Sequence, residues 1–212
     1  MTLAETLAGN HAATLGQPLQ IYYIRHGETA WSLSGQHTGK TDIALTARGE
    51  DEARSLAPYL SKIVFSHVLT SPRQRAQRTC ALAGLGAMAQ VEPDLAEWDY
   101  GDYEGVVSPD IRKNLPHWNI YRDGCPNGES AGDISSRADR LIGKLKGLSG
   151  NVALFSHGQF GSVFGTRWIE QDVSAGQHLI LSTASVSILS YKPSDRRVPV
   201  IALWNLSPQT LS

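Results

Sequence analysis

The stretch that decides the fold is residues 21–29, IYYIRHGET. Its first four residues are apolar and β-branched or aromatic, which predicts a buried strand, and Gly27 marks the point where the strand turns. Arg25 and His26 then lie at the carboxyl end of a strand, where open α/β sheets bind ligands. A cation beside a histidine attracts a phosphate, and it keeps the imidazole neutral by disfavouring a second positive charge. The stretch therefore predicts a site for attack on phosphorus.

Length, composition and charge limit the classes of protein that the chain can be. Its 212 residues, 41% of them apolar, predict one domain over residues 19–212 after a tail or short helix over residues 1–18. A net charge of −1 offers no field that would attract nucleic acid or an anionic membrane. Cys80 and Cys125 lack metal-ligand spacing and fit a reducing compartment. Because the sequence shows neither an apolar run of roughly 20 residues nor a secretory pattern, we expect a cytoplasmic protein.

Apolar periodicity predicts strands that alternate with helices. The predicted strands are residues 20–24, 63–69, 90–93, 152–155, 186–191 and 198–204. The predicted helices are residues 46–60, a segment capped by Ser71 that ends near residue 83, and residues 109–114, 131–148 and 158–169. This alternation predicts a three-layer α/β/α sandwich around a mostly parallel sheet. The final pair of strands can add an antiparallel edge.

Polar sequences follow three of the predicted strands. Arg25 and His26 follow the first, residues 70–75 (TSPRQR) follow the second, and His157 with Gly158 follows the strand at 152–155. The carboxyl ends of parallel strands face the same way, so these groups can converge together with helix N-termini, which bind anions. The sequence predicts a phosphate pocket that needs no metal.

Four short motifs occur in order along nearly the whole chain. They are Arg25-His26-Gly27, Ser71-Pro72-x-x-Arg75-Ala76, Leu95-x-Glu97 and His157-Gly158. Together they resemble the histidine phosphatase superfamily, which includes the phosphoglycerate mutases and the histidine acid phosphatases. The resemblance implies a phosphoglycerate mutase-like fold and catalysis without a cofactor or a metal.

The resemblance also implies roles for individual residues. His26 would be the nucleophile that forms a phosphohistidine, with Glu97 as the proton donor to the leaving oxygen. Arg25, Arg75 and His157 would hold the phosphoryl oxygens. The residues expected to contact the substrate are Ser32, Thr38, Gly39, Tyr100, Gly158 and Arg122.

A narrower likeness concerns residues 25–39, 97–105 and 118–125, which resemble the fungal sedoheptulose-1,7-bisphosphatases. It implies a phosphatase whose partner is a small phosphorylated metabolite, namely a sugar phosphate or bisphosphate. A cobamide-pathway (alpha-ribazole-type) phosphatase is an alternative. So is mutase-type phosphotransfer, against which Ser108 counts because the mutases have a lysine there.

Two further alternatives stay open, as does the oligomeric state. A metal-dependent hydrolase could use His26, His157 and Glu97 as ligands, although the neighbouring arginines would repel a cation. A phosphate-binding module without turnover would be expected to have lost the nucleophile or the acid, and the chain keeps both. The apolar C-terminal strands leave a homodimer open.

Overall fold

The computed structural model describes residues 17–207, which form a six-stranded sheet with helices on both faces. The strands are β1 (Gln20–Arg25), β2 (Phe65–Thr70), β3 (Ala89–Val91), β4 (Asn151–Ser156), β5 (Val186–Lys192) and β6 (Asp195–Leu206). Their order across the sheet is β3-β2-β4-β1-β5-β6. The first four strands in this order run parallel, and β5 and β6 run antiparallel to their neighbours. The predicted sandwich with its antiparallel edge is confirmed.

Helices cover the sheet on both sides. They are α1 (Ala30–Ser34), α2 (Ala47–Ser55), α3 (Ala57–Leu60), α4 (Gln74–Leu82), α5 (Ser108–Asn114), α6 (Ile120–Asp123), α7 (Ala131–Leu145) and α8 (Gly158–Trp168). Short 3₁₀ segments occur at Gly86–Met88, Pro93–Leu95, Gly101–Tyr103 and Val173–His178. No helix between residues 17 and 207 has the length and apolar character that crossing a bilayer requires.

Alternate side chains of β1 enter two separate cores, because successive residues of a strand point to opposite faces. Ile21 and Tyr23 pack in the core that α7 and α8 cover. Tyr22 and Ile24 pack in the core on the other face, together with side chains from α3 and α4. All four are buried. The central strand is therefore apolar without interruption until Arg25, where the sheet ends and the site begins.

The predicted helix at 46–60 is two helices, α2 and α3, separated at Leu56. Pro58 lies in the first turn of α3, where its missing N–H costs nothing, whereas within one long helix it would remove a hydrogen bond. The predicted strand at 63–69 begins later, at Phe65. The prediction omitted α1 and α6, which have only five and four residues. Most of the predicted tail, residues 1–16, lies outside the described residues, so the domain boundary stays a prediction.

Three neighbouring parallel strands end together at one edge of the sheet. The His26 N–H donates to the carbonyl of Ser156 at the end of β4, with 3.0 Å between N and O. The Ser71 N–H donates to the Phe155 carbonyl at 2.9 Å. These two bonds bring the segments after β1, β2 and β4 side by side, as expected for a site at the carboxyl ends of the strands.

Candidate active site

His26 lies at the wall of a cavity of about 510 Å³ and is 4% exposed. Its Nδ1 lies 2.7 Å from the Gly27 carbonyl oxygen. Because a carbonyl can only accept, Nδ1 carries the hydrogen in the neutral ring and the lone pair lies on Nε2. Burial lowers the pKa of His26 well below its usual value, and the charges of Arg25 and Arg75 lower it further. The ring is thus a neutral imidazole with Nε2 as its basic nitrogen.

Gly27 serves the packing of the segment that carries His26. A Cβ atom at Gly27 would lie 2.3 Å from the Gly49 carbonyl oxygen, so the loop and α2 meet backbone to backbone. The Gly27 N–H donates to the Thr79 hydroxyl of α4 at 3.0 Å. The glycine therefore allows two helices to fix the loop that presents the nucleophile candidate.

His157 and Arg75 form a buried pair behind His26. The His157 ring lies 5.2 Å from the His26 ring, measured between centroids, and neither His157 nor Arg75 lines the cavity. The Arg75 Nε–H donates to His157 Nδ1 at 3.2 Å, so in the neutral ring the hydrogen lies on Nε2, 2.7 Å from the Ser71 hydroxyl. Burial, followed by the Arg75 charge, lowers the pKa of His157 well below its usual value. The ring is held neutral and oriented from both sides.

Arg75 is also bonded to the loop that follows α1. Its terminal nitrogens donate to the carbonyls of Thr38, Gly39 and Thr41 at 2.8, 3.1 and 3.0 Å. The guanidinium is fully buried. In the described state it fixes this loop and the His157 ring, and Arg25 is the guanidinium beside His26 that lines the cavity.

Arg25 is positioned by Gly158 and by the segment around Leu181. The ideal Cβ position at Gly158 is 3.2 Å from Arg25 Cζ, so the guanidinium lies directly against the first residue of α8. One of its terminal nitrogens donates to the Leu181 carbonyl. The segment around Leu181 is in turn tied to β6, through Trp204 Nε1 to the Ile180 carbonyl at 2.8 Å. A second tie joins the Ser182 N–H to the Asn205 side-chain oxygen at 2.7 Å.

Glu97 lines the cavity at the N-terminus of α8. Its Oε1 accepts the N–H groups of Trp98 and Phe160 at 2.8 and 2.7 Å. Its Oε2 accepts the Gln159 N–H alone, at 3.1 Å. The partial positive charge of a helix N-terminus favours such a carboxylate. Glu97 therefore places one strongly held oxygen and one weakly held oxygen beside the candidate nucleophile.

Most of the predicted substrate-contacting residues line the cavity. Ser32, Thr38, Tyr100 and Gly158 do so. The Ser32 hydroxyl is also part of the capping box of α1, in which it accepts the Thr29 N–H at 2.8 Å. The placement is consistent with the predicted contacts, which stay predictions.

Gly39 and Arg122 lie outside the cavity. A Cβ atom at Gly39 would lie 2.5 Å from the Trp98 carbonyl oxygen, so a glycine is needed where the backbones of Gly39 and Trp98 approach each other. Arg122 is exposed and forms an ion pair with Asp123 at 2.8 Å. The structure gives neither residue a position from which it contacts a ligand next to His26, so their predicted substrate contacts lack structural support.

Sequence reasoning missed several residues of the cavity wall. They include Arg112, Gln159 and Tyr121. The Tyr121 hydroxyl donates to the Gln159 side-chain oxygen at 2.5 Å, which ties the two side chains together at the cavity wall. None of the four short motifs marks these positions, although the WNIYRD segment at 118–123 supplies four residues of the wall, Trp118, Asn119, Ile120 and Tyr121.

Both cysteines are buried thiols. Burial raises the pKa of Cys80 and of Cys125 to about 12, so neither is a reactive thiolate at neutral pH. Among residues 17–207, no three His, Cys, Asp or Glu side chains are grouped in a way that could hold a metal ion.

The profile of the histidine phosphatase superfamily (branch 1) matches residues 21–206. The chain belongs to this superfamily, and the class of enzyme is a phosphatase, a hydrolase. An acid phosphatase of Mycobacterium tuberculosis is 38% identical, over 87% of this chain and 92% of that protein. The sedoheptulose 1,7-bisphosphatase of Saccharomyces cerevisiae is 34% identical, over 85% of this chain and 77% of that protein. The predicted family is confirmed.

Solved structures show the same fold. The product of an open reading frame of Mycobacterium tuberculosis superposes with a TM-score of 0.83 at 37% identity, covering 89% of this chain and 98% of that chain. A putative alpha-ribazole-5′-phosphate phosphatase of Escherichia coli gives a TM-score of 0.78 at 27% identity, covering 89% and 97%. The phosphoglycerate mutase-like architecture predicted from the motifs is thereby confirmed.

Proposed function

We propose that the chain hydrolyses the phosphate ester of a small sugar-like metabolite through a phosphohistidine on His26, without a metal. The observation that carries this proposal is the state of the His26 ring. It is neutral, its Nδ1–H is bound to the Gly27 carbonyl, and Nε2 is left as the nucleophile next to Arg25.

The first step transfers the phosphoryl group to His26. Nε2 donates its lone pair to phosphorus while the bond from phosphorus to the ester oxygen breaks. Arg25 stabilises the charge on the equatorial oxygens, because guanidinium N–H groups match phosphate geometry. The ring becomes cationic as the new bond forms, and the Nδ1–H bond to Gly27 then strengthens. Burial and the Arg75 charge keep His157 neutral, and the Arg75 hydrogen bond keeps it in place beside His26, so no permanent second imidazolium opposes that charge.

Glu97 is proposed as the acid for the first step and the base for the second. The phosphate dianion of the ester disfavours a second negative charge beside it, so Glu97 takes up a proton as the ester binds. The leaving oxygen takes this proton, and the resulting carboxylate later takes one from the water that attacks phosphorus. Oε2 suits this task better than Oε1, because it has one N–H donor at 3.1 Å instead of two at 2.7–2.8 Å. Water attack breaks the bond from phosphorus to nitrogen, releases phosphate and restores neutral His26.

The cavity wall favours a hydroxyl-rich substrate. Amide side chains from Gln36, Asn119, Gln159 and Gln177 lie among the aromatic rings of Trp31, Trp118 and Tyr121. The cavity volume is within the usual range for small-molecule sites. The yeast bisphosphatase relative adds support for a sugar phosphate or bisphosphate such as sedoheptulose 1,7-bisphosphate. The buried, protonated thiols fit the cytosolic location predicted from the sequence.

The test is phosphate release, with EDTA present, from sedoheptulose 1,7-bisphosphate, fructose 1,6-bisphosphate, 3-phosphoglycerate and p-nitrophenyl phosphate. His26→Ala should lower kcat by at least about a thousandfold, the scale of losing a nucleophile. His117→Ala, which changes an exposed histidine outside the cavity, is the matched control. Rapid quenching should trap a phosphoryl label that survives alkali and is lost in acid.

Phosphate release by the His26→Ala variant at the wild-type rate would contradict the phosphohistidine route. So would a loss of phosphate release by the wild-type protein when EDTA is added. Isomerisation of 3-phosphoglycerate at a rate above its hydrolysis would indicate a mutase instead.

A further inference from the structure

A second cation lines the cavity that holds His26. Arg112 belongs to α5, and its Nε–H donates to the Trp118 carbonyl at 3.2 Å. No Asp or Glu of residues 17–207 forms an ion pair with it. The neighbouring Lys113, in contrast, pairs with Asp110 at 2.7 Å and does not line the cavity. The terminal nitrogens of Arg112 are thus donors without a carboxylate partner at the wall of a ligand site.

Ser108 lies one turn before Arg112 on the same face of α5, since residues four apart on a helix are neighbours. It also lines the cavity, and its hydroxyl lies 3.0 Å from His37 Nε2. His37 is fixed by stacking on Tyr100, with 4.6 Å between ring centroids. Ser108 thus places a hydroxyl group, anchored by His37, at the cavity wall beside Arg112. The pair therefore offers a hydroxyl beside a guanidinium.

The charges of the cavity wall favour an anion at this place. Burial, aided by the Arg112 charge and opposed by the Glu104 charge, lowers the pKa of His37 to about 4, so His37 is neutral at pH 7. Glu97 is the carboxylate of the wall, and it accepts three N–H groups at the N-terminus of α8. The remaining charged groups of the wall are Arg25, assigned above to the transferred phosphoryl group, and Arg112.

We propose that Arg112 and Ser108 bind a second anionic group of the substrate, while His26 and Arg25 hold the phosphoryl group that is transferred. The inference rests on the proposed phosphatase activity and specifies its substrate class: a compound with two anionic groups separated by a hydroxyl-bearing chain. The second group can be a phosphate or a carboxylate, since a guanidinium binds either. Arg112 is thus a specificity residue that takes no part in the chemistry of phosphoryl transfer.

The experiment compares Arg112→Gln with Lys113→Gln, which removes the same charge from the adjacent position. Substrates are fructose 1,6-bisphosphate, fructose 6-phosphate, 3-phosphoglycerate and p-nitrophenyl phosphate. Arg112→Gln should lower kcat/KM for the bisphosphate about tenfold more than for p-nitrophenyl phosphate, the low end of what a hydrogen bond to a charged group contributes. Lys113→Gln should leave that ratio unchanged. A similar loss with 3-phosphoglycerate assigns the site to carboxylates as well, and a loss with the bisphosphate alone assigns it to phosphate.

If Arg112→Gln lowers kcat/KM equally for all esters, or for none of them, the second anion site is overturned while the phosphatase proposal stays intact. A binding measurement separates the two proposals if no ester is hydrolysed. Calorimetric titration of fructose 1,6-bisphosphate into His26→Ala and into His26→Ala/Arg112→Gln should show about tenfold weaker binding in the double variant. Fructose 6-phosphate should bind the two proteins alike, and any other pattern would refute the role of Arg112.

Discussion

Gly158→Ala should displace Arg25 and lower phosphatase activity without harming the fold. The new Cβ atom would lie 3.2 Å from both Cζ and Nε of Arg25. Favourable carbon contacts begin at about 3.5 Å, so the guanidinium must move by roughly 0.3 Å. A misplacement of about 1 Å can cost about a hundredfold in rate. If the free-energy cost scales linearly with the displacement, a shift of roughly 0.3 Å should lower kcat/KM about fourfold.

The assay is hydrolysis of p-nitrophenyl phosphate, with inhibition by inorganic phosphate as a second readout. Both kcat/KM and phosphate affinity should fall, since Arg25 is assigned to the phosphoryl oxygens. Gly132→Ala is the matched control, because its Cβ atom would lie 3.6 Å from the Ser130 hydroxyl, an ordinary contact in the first turn of α7. Alanine suits a helix, so thermal stability should not fall. Unchanged kcat/KM and phosphate affinity in folded Gly158→Ala would refute the role given to the position of Arg25.

Three other predictions concern the charge of His26 and the packing of two helix glycines. Nitrogen-15 NMR should find the His26 ring neutral at pH 5, because burial and the Arg25 charge both lower its pKa. A free imidazole is half charged at about pH 6.5, so a His26 ring that becomes charged near that pH would contradict this prediction. Gly143→Ala, on the exposed side of α7 with open space around the new atom, should raise the free energy of unfolding by about 0.5–1 kcal/mol in urea titrations. Gly161→Ala in α8 should lower the free energy of unfolding by about 1–3 kcal/mol, because the new atom would lie 2.5 Å from the Leu181 side chain. Equal changes in the free energy of unfolding for the two variants would refute the role given to packing around Gly161.

The convergence of the strand ends could be predicted because it depends on local patterns. β1 and β4 are apolar runs and β2 alternates loosely, each stops at a polar group, and parallel strands end at the same edge. His26, Ser71 and His157 accordingly lie side by side. The position of Pro58 could also have revealed the break between α2 and α3, since the apolar pattern alone ran through it.

The outer wall of the cavity could not be predicted in the same way. Arg112 and Arg122 both lie near Trp118 in sequence, and only Arg122 belongs to a stretch that the family resemblance covers. Tertiary contacts decide between them, because the Trp118 carbonyl holds Arg112 at the cavity while Asp123 pairs with Arg122 outside it. Similarly, the motif that contains Arg75 does not disclose that its terminal nitrogens are bound to the carbonyls of residues 38, 39 and 41.

The contacts of Trp204 and Asn205 have a consequence for the synthesis of the protein on the ribosome. They anchor the segment whose Leu181 carbonyl holds Arg25, although Arg25 itself belongs to the first strand of the sheet. His26 and Arg25 leave the exit tunnel well before Leu181, Trp204 and Asn205, the residues that hold Arg25 in place. The proposed activity of His26 should consequently arise only after residue 205 has left the tunnel, although His26 and Arg25 themselves are made much earlier.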